Sequence, residues 1–239
     1  MLTEFLNRLL DLRRPETVTL SDGRVYATDG LSAMINPEPP VLNVATLTAL
    51  VDYFKSGDNH ADKGMVQVVS PTQVHLLSTV QPPFAQRTTF LKATAKPTKF
   101  AFGSYMELER LNIGLLSEFK PNAVRDTLLS VLSKIKTENG VTFEDDGVTQ
   151  KVTVKNGVAC IGQSTLPKTV KLRPYRTFLE IEQPEGEYLL RLKQTGDGKD
   201  VCITGALIEA DGGKWEIDAI QSIQAWLADR LPEGTVILA

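Results

Sequence analysis

The sequence predicts an α+β fold, built mainly from antiparallel sheet with several amphipathic helices. Helical stripes and hairpin signals are mixed along the first half of the chain, without the regular strand–helix–strand alternation of a parallel sheet. From residue 140 onward, turn dipeptides separate strand-like runs, which indicates a long meander of hairpins in the C-terminal half. The 239 residues, 42% hydrophobic and 23% charged, suit a globular protein with a sizeable core.

The first residues predict an amphipathic helix followed by a hairpin. Apolar residues recur at helical spacing over residues 2–13. They form a face that consists of Leu2, Phe5, Leu6 and Leu9. Glu4 and Arg8 interrupt the apolar run, so we expect an amphipathic helix rather than a signal peptide. Residues 16–30 then predict a hairpin with an Asp-Gly turn at residues 22–23.

A second helix and a second hairpin are predicted next. Asn43 is expected to cap the helix, which ends at Gly57. Its apolar stripe consists of Leu47, Leu50, Val51 and Phe54. Residues 65–70 and 73–79 flank a proline-containing turn and are expected to pair as strands. The run at residues 87–95 is also strand-like.

Two further helices are expected in the middle of the chain. The first has a capping-box pattern, with Ser104 as the cap and Glu107 three residues later. Its apolar face consists of Leu108, Leu111, Leu115 and Phe119. Gly114 should weaken this helix because glycine has a low helix propensity. The second helix has Pro121 at its first turn. Its stripe consists of Val124, Leu128, Leu132 and Ile135.

Two glycine turns set the expected register of the meander. With the first Asp-Gly pair as a two-residue turn, Thr142 lies opposite Lys151. With the following Asn-Gly pair as the next turn, Val152 lies opposite Ile161.

The end of the chain predicts a hairpin, a helix and a strand. Residues 201–209 and 214–217 flank a glycine-rich turn. Asp218 is expected to cap the helix, which Pro232 stops, and residues 235–239 form the terminal strand. The inner face of the helix consists of Ile220, Ile223 and Leu227.

A hairpin is also expected over residues 178–193. With residues 185–186 as its turn, Ile181 lies opposite Leu190 and Glu180 lies opposite Arg191. A directly opposed pair of unlike charges stabilises a sheet by about 0.2–1 kcal/mol, so a structural role explains this carboxylate.

The composition of the chain changes near residues 137–140. We therefore expect an N-terminal region of mixed helices and hairpins at residues 1–138. A second region, residues 139–239, contains the meander with the terminal helix and strand. The last helix can also pack on the first region, in which case the chain forms one continuous domain.

The residues that usually carry chemistry are sparse. The chain has two histidines and two cysteines, and His60 lies between Asp58 and Asp62 without a second cluster to complete a metal shell. The glycines near residue 197 lack the spacing of a phosphate loop, and the Gly-x-Ser-x-Gly elbow of a hydrolase is missing from the sequence. We therefore predict a non-enzymatic protein without a catalytic, cofactor or metal site.

One basic stretch could bind an anion. Its cations are Lys168, Lys171, Arg173 and Arg176. Tyr175 lies among them, and basic residues that alternate with an aromatic ring can bind phosphates and stack on a base. The alternative is the polar edge of a strand. The net charge of −3 favours the alternative, because duplex-binding domains are usually strongly basic.

The stretch from Lys171 to Lys193 has a distinctive pattern: a basic strand, Arg-Thr-Phe, an acidic run, Gln-Pro and a later arginine. The residues that carry it are Arg176, Thr177, Phe178, Glu180, Gln183, Pro184 and Arg191. This pattern resembles the YfdQ-like family of phage and prophage proteins. The resemblance implies an intracellular, phage-encoded protein, and it transfers no catalytic residue.

The leading hypothesis is a non-enzymatic phage or prophage protein that self-assembles as a homo-oligomer. A large closed assembly is one form that this homo-oligomer could take. Its contacts would be Leu2, Phe5, Leu6 and Leu9. One alternative is a nucleic-acid-binding accessory protein of phage recombination or replication. Another is a protein that sequesters a small ligand or a host factor. All three are expected in the cytoplasm of the host cell, without a membrane partner.

Overall fold

A computed structural model describes residues 3–6, 17–19, 21, 25–27, 39–80, 86–135, 141–145, 150–156, 159–166, 169–195 and 202–239. The chain divides into two compact units, Met1–Pro39 and Pro40–Ala239. Helices and mainly antiparallel sheets occur together, so the predicted α+β class is confirmed.

The first unit contains a helical turn at residues 3–6 (α1) and a two-stranded sheet. Strands β1, Thr17–Thr19, and β2, Val25–Ala27, pair in antiparallel fashion, which confirms the predicted hairpin. Its turn at residues 22–23 lies outside the described residues.

A five-stranded sheet forms the first layer of the second unit, in the order β14-β4-β5-β6-β3. The strands are β3 Leu42–Val44, β4 Met65–Ser70, β5 Gln73–Leu77, β6 Thr89–Thr94 and β14 Ile237–Leu238. The central strands are antiparallel, as predicted for the β4–β5 hairpin. The two short edge strands run parallel to their neighbours, β14 beside β4 and β3 beside β6.

Two helices pack on this sheet, α2 at Leu47–Ser56 and α5 at Lys214–Ala228. The buried residues of the sheet and these helices form the first core. The predicted stripe of α2 is buried as expected, and the helix ends at Gly57 with φ of 69°. Its cap is Thr46, whereas Asn43 lies in β3, so the predicted cap was wrong. A short 3-10 helix, Asp58–Lys63, follows α2. Ile223 and Leu227 of α5 are fully buried in this core, and the last helix therefore packs on the first half of the chain.

A four-stranded antiparallel sheet carries the second core. Its order is β11-β12-β13-β7, with β7 Met106–Glu107, β11 Val170–Leu172, β12 Gly186–Thr195 and β13 Cys202–Glu209. Helices α3, Leu108–Glu118, and α4, Ala123–Lys134, pack against this sheet.

The starts of α3 and α4 differ from prediction. Residues 106–107 pair with β13, so α3 begins after Glu107 without a side-chain cap, and the capping box at Ser104 was wrong. The cap of α4 is Asn122, whose Oδ1 accepts a hydrogen bond from the backbone N–H of Arg125 at 2.7 Å. Gly114 has a packing role, because a Cβ there would lie 2.8 Å from the ring of Phe100.

The predicted meander is present as a third sheet in the order β10-β9-β8, but its registers differ. The strands are β8 Val141–Asp145, β9 Gln150–Asn156 and β10 Ala159–Leu166. Thr142 lies opposite Thr153 rather than Lys151, because the strands end farther from the Asp-Gly pair than a two-residue turn allows. Val152 pairs with Ser164 rather than Ile161, and the ladder is irregular between residues 160 and 162.

Residues 214–217 belong to α5, so the predicted hairpin with residues 201–209 was wrong. Gly212 and Gly213 have φ of 64° and 83°, a left-handed pair that ends the strand and starts the helix. Asp218 therefore lies inside α5 rather than at its cap. Strand β13 pairs instead with β12, where Leu190 lies opposite Leu207.

Each of the two cores contains residues from both sides of the predicted boundary. The first combines residues 47–95 with Phe178, Ile181 and residues 223–231, and the second combines residues 100–135 with residues 170–207. The boundary itself, at residues 138–139, lies outside the described residues.

Across the described ranges, every helix is too short or too polar to cross a membrane.

Candidate functional site

Residues 173–185, here called the linking loop, connect β11 to β12 without forming the predicted hairpin. Gly186 begins strand β12 instead of occupying a turn. Arg191 lies opposite Ala206 of β13, so its predicted pairing with Glu180 was wrong. The apolar alternation of β12 was recognised correctly, but β11 and β13 supply its partners.

Side-chain hydrogen bonds fix the linking loop. Gln183 Oε1 accepts from the backbone N–H groups of Arg176 at 2.9 Å and Thr177 at 3.3 Å, and its Nε2 donates to the carbonyl of Phe178 at 3.0 Å. The Thr177 hydroxyl donates to the carbonyl of Pro71, between β4 and β5, at 2.5 Å. These bonds satisfy polar groups in a buried stretch and attach the loop to the first sheet.

Glu180 caps a helix that is distant in sequence. Its Oε1 accepts hydrogen bonds from the backbone N–H groups of Leu47 at 2.8 Å and Thr48 at 3.3 Å, at the start of α2. The positive end of a helix favours a carboxylate. Beside Glu180, Phe178 and Ile181 are buried in the first core. Most residues that carry the family-like pattern in this loop therefore have structural roles.

Arg176 lies in an aromatic cage. Its side chain is 6% exposed, and its Cζ lies 4.1 Å from the ring centroid of Phe102, 4.4 Å from that of Trp215 and 5.5 Å from that of Tyr188. Glu209 forms an ion pair with it. Cation–π contacts of this kind stabilise a desolvated guanidinium. Arg176 is therefore not placed to contact a phosphate at the surface.

Tyr188 forms the floor of this cage. It is 1% exposed, and its hydroxyl and Arg176 Nη1 are both buried without a hydrogen-bond partner among the described residues. Burial raises the pKa of Tyr188, with Arg176 partly opposing the shift and Glu209 adding to it. Its hydroxyl therefore stays protonated. A Cβ at Gly186 would lie 2.6 Å from this hydroxyl, which explains the glycine.

The remaining predicted cations alternate with carboxylates. Lys171 Nζ lies 3.3 Å from Glu185 Oε1, and Arg173 Nη1 lies 2.6 Å from Glu182 Oε1. The hydrogen bond from Lys120 is the main cause that lowers the pKa of Glu182; desolvation opposes it, and the charge of Lys120 and the hydrogen bond from Arg173 add to the lowering. Lys168 lies outside the described residues. The predicted anion site thus retains Lys171 and Arg173, each paired with an acid.

A cavity of about 650 Å³ lies where α3, α4, β7 and β13 meet. Its lining consists of Glu107, Leu108, Glu109, Asn112, Ile113, Leu116, Leu132, Ser133, Ile135, Cys202 and Ile203. The sequence-based predictions did not identify this cavity. A signal was present, because Ile113 and Leu116 lie off the predicted stripe of α3 and are 57% and 58% exposed.

Among the described residues that line this cavity, the charged side chains are all acidic. Glu107 and Glu109 lie at the start of α3, and the described lining residues include no basic side chain. Asn112 Oδ1 is buried and has no hydrogen-bond partner within the described part of the chain. The Cys202 side chain is half-buried at the wall. The arrangement suits an apolar ligand that also donates hydrogen bonds.

Within the described ranges, His, Cys, Asp and Glu do not gather in a group of three that could hold a metal ion. His60, with Asp58 and Asp62, lies in the 3-10 helix after α2, where His60 has φ of 59°. Asn and His tolerate this left-handed conformation better than most residues.

Comparison with protein-family models finds no match, and no curated protein or solved structure matches the chain significantly. The resemblance to the YfdQ-like family therefore stays a prediction.

Proposed function

We propose that this chain is a non-enzymatic protein that assembles with copies of itself. One observation supports self-assembly most directly: Phe5 and Leu6, adjacent on the helical turn α1, are 63% and 50% exposed. Both belong to the apolar face predicted from the sequence. The other two members, Leu2 and Leu9, lie outside the described residues.

The size of the first unit supports the same conclusion. Met1–Pro39 contains a two-stranded sheet, and a chain of this length buries too little surface to be stable alone. A neighbouring copy that covers Phe5 and Leu6 would remove apolar surface from water. Closed symmetry is the usual form of such an assembly, since each copy presents the same surface.

Light scattering across a range of concentrations tests this proposal. The native chain should give a multiple of the 26.3 kDa chain mass, and Phe5→Ser with Leu6→Ser should reduce it. Leu179→Ser is the matched control, because Leu179 is 76% exposed on the linking loop. A mass of 26.3 kDa for the native chain at every concentration would overturn the proposal.

Ligand sequestration is the second candidate, and the cavity beside α3 supports it. Its volume of about 650 Å³ falls within the range typical of small-molecule sites. Self-assembly through Phe5 and Leu6 and ligand binding in the cavity are separate candidates, and each has its own test.

Nucleic-acid binding is a third candidate, and the exposure of Lys171 supports it, with 67% of its side chain accessible. Binding that weakens with salt, and weakens further in Lys171→Ala with Arg173→Ala, is the expected result. The carboxylates of Glu182 and Glu185 beside these cations make it the weakest of the three. Absence of binding at low salt would eliminate it.

The assignment to a phage or prophage, in the host cytoplasm, rests on the family resemblance alone. A gene neighbourhood without phage genes would contradict it.

A further inference from the structure

We propose that the cavity between α3, α4, β7 and β13 binds a small molecule with an apolar body and a protonated amine head. This inference rests on the ligand-binding candidate above and is independent of self-assembly.

The walls of the cavity favour an apolar body. Leu108, Leu132, Ile135 and Ile203 line its interior, and Ile113 and Leu116 lie exposed at the α3 side. A ligand that covers Ile113 and Leu116 would remove from water two large side chains that the fold leaves accessible. Removal of apolar surface from water is the main driving force for such binding.

The charges of the cavity favour a cationic head. Glu107 and Glu109 are among the lining residues, and no basic side chain occurs among the described lining residues. The positive end of α3 would by itself attract an anion, but two acidic side chains are already located at that end. The two acidic side chains would therefore repel an anionic ligand and attract a cationic one.

Asn112 adds a hydrogen-bond acceptor. Its Oδ1 is buried without a partner among the described residues, and such an orphaned acceptor is unfavourable. Asn112 is also one of the lining residues, so a ligand donor that reaches this oxygen would supply the missing hydrogen bond. An ammonium group has three donors and accepts none, which matches two carboxylates and one amide oxygen.

Isothermal titration calorimetry tests the class of ligand with three probes of equal chain length: octylamine, octanol and octanoate. One molecule of octylamine should bind to each chain. Its affinity should be higher than that of octanol, and octanoate should have the lowest affinity of the three. Glu107→Gln with Glu109→Gln should weaken octylamine binding by about tenfold, the loss expected from a charge-assisted hydrogen bond. Glu216→Gln, an acid in the first turn of α5, is the matched control and should change nothing.

Cys202 reports the location of the probe. The chain has two cysteines, so Cys160→Ser leaves Cys202 as the single thiol. Octylamine at ten times its Kd should slow alkylation of Cys202 by iodoacetamide about tenfold, as mass action requires if the two compete. If the thiol reacts too slowly without the probe, the contrast between the Glu107/Glu109 and Glu216 variants decides the location.

Three outcomes would overturn the proposal. Octanoate that binds as tightly as octylamine would show that the cavity does not select a cation. Octylamine binding that is equally affected by Glu216→Gln would place it elsewhere. Absence of binding by all three probes to the folded chain would remove the ligand-binding candidate as well. Light scattering of the same samples tests self-assembly separately.

Discussion

The two cores of the larger unit use similar elements in different ways. In the first core, α2 has a Thr46 cap, receives the Glu180 carboxylate at its start and buries its whole predicted stripe. In the second core, α3 starts without a side-chain cap and exposes Ile113 and Leu116. The cavity lies beside this second helix. The first core thus buries the predicted apolar face of its helix, whereas the second leaves two large apolar side chains of its helix exposed beside the cavity.

Removal of a large side chain from the first core should have the largest effect. Phe178→Ala should lower the free energy of unfolding by about 3–5 kcal/mol, because a fully buried aromatic ring is replaced by a cavity. Leu179→Ala, the exposed neighbour, should change it by less than about 0.5 kcal/mol. Urea denaturation measures both. Similar losses for the two variants would contradict the packing of the linking loop.

Addition of one methyl group should disturb the second core. Alanine normally stabilises a helix relative to glycine by about 1 kcal/mol. At Gly114, however, its Cβ would lie 2.8 Å from the Phe100 ring, and overpacking costs about 1–3 kcal/mol. Gly114→Ala should therefore be neutral or destabilising in thermal unfolding. Phe100→Leu replaces the ring, so in the double variant with Gly114→Ala the stabilising effect of alanine should return. An increase in thermal stability from Gly114→Ala alone would contradict this explanation.

The carboxylate at α2 should have a smaller effect. Glu180→Gln should cost about 0.5–1 kcal/mol, because the charge at the helix end is lost while the acceptor oxygen remains. Glu180→Ala should cost more, because the acceptor is lost too. The control is Glu187→Gln, which leaves α2 unchanged. Equal stability of Glu180→Ala and the native chain in urea would show that the cap contributes nothing.

The smallest effect concerns pH. Burial, and secondarily the charge of Lys92 on the adjacent strand, lower the pKa of His75 below its ordinary value. The fold therefore favours neutral His75, so this contribution is complete above about pH 6.5 and is lost as the pH falls through that value toward the lowered pKa. When the pH is lowered from 7.5 to 5.5, the free energy of unfolding of His75→Gln should fall by less than that of the native chain.

Lys92→Gln provides the matched variant for this pH effect, because it removes the second cause of the shift and keeps the first. Its loss of stability should be intermediate between those of the native chain and His75→Gln. Identical acid-side slopes for all three proteins would contradict the assigned cause.

Sequence patterns predicted well the helices and hairpins whose structure depends on residues close together in the sequence. The stripe of α2 and its glycine end need only helical periodicity and a left-handed residue, and both are present as expected. The β4–β5 hairpin needs only alternation around a short turn. The fold class followed from such local signals because each signal acts within about ten residues.

The sequence-based predictions were wrong where contacts between residues far apart in the sequence determine the local structure. A Glu-Gly pair near residue 185 can form a turn, but Gln183 holds the preceding residues in a loop and β12 finds two other neighbours. Likewise, the start of α5 depends on a left-handed glycine pair that equally permits a hairpin. The cavity depends on how four elements meet, and no single stretch of sequence encodes that arrangement.

The bond from Glu180 to the start of α2 also constrains the order of events during protein synthesis. The two groups are 133 residues apart, so at about 5–20 residues per second α2, already capped by Thr46, waits roughly 7–27 s for this second acceptor. Ile223 and Leu227, which complete the same core, and β14, which pairs with β4, are made later still. The first core to be translated is therefore among the last to close, and the nascent chain should need protection from aggregation until its C-terminal helix is released.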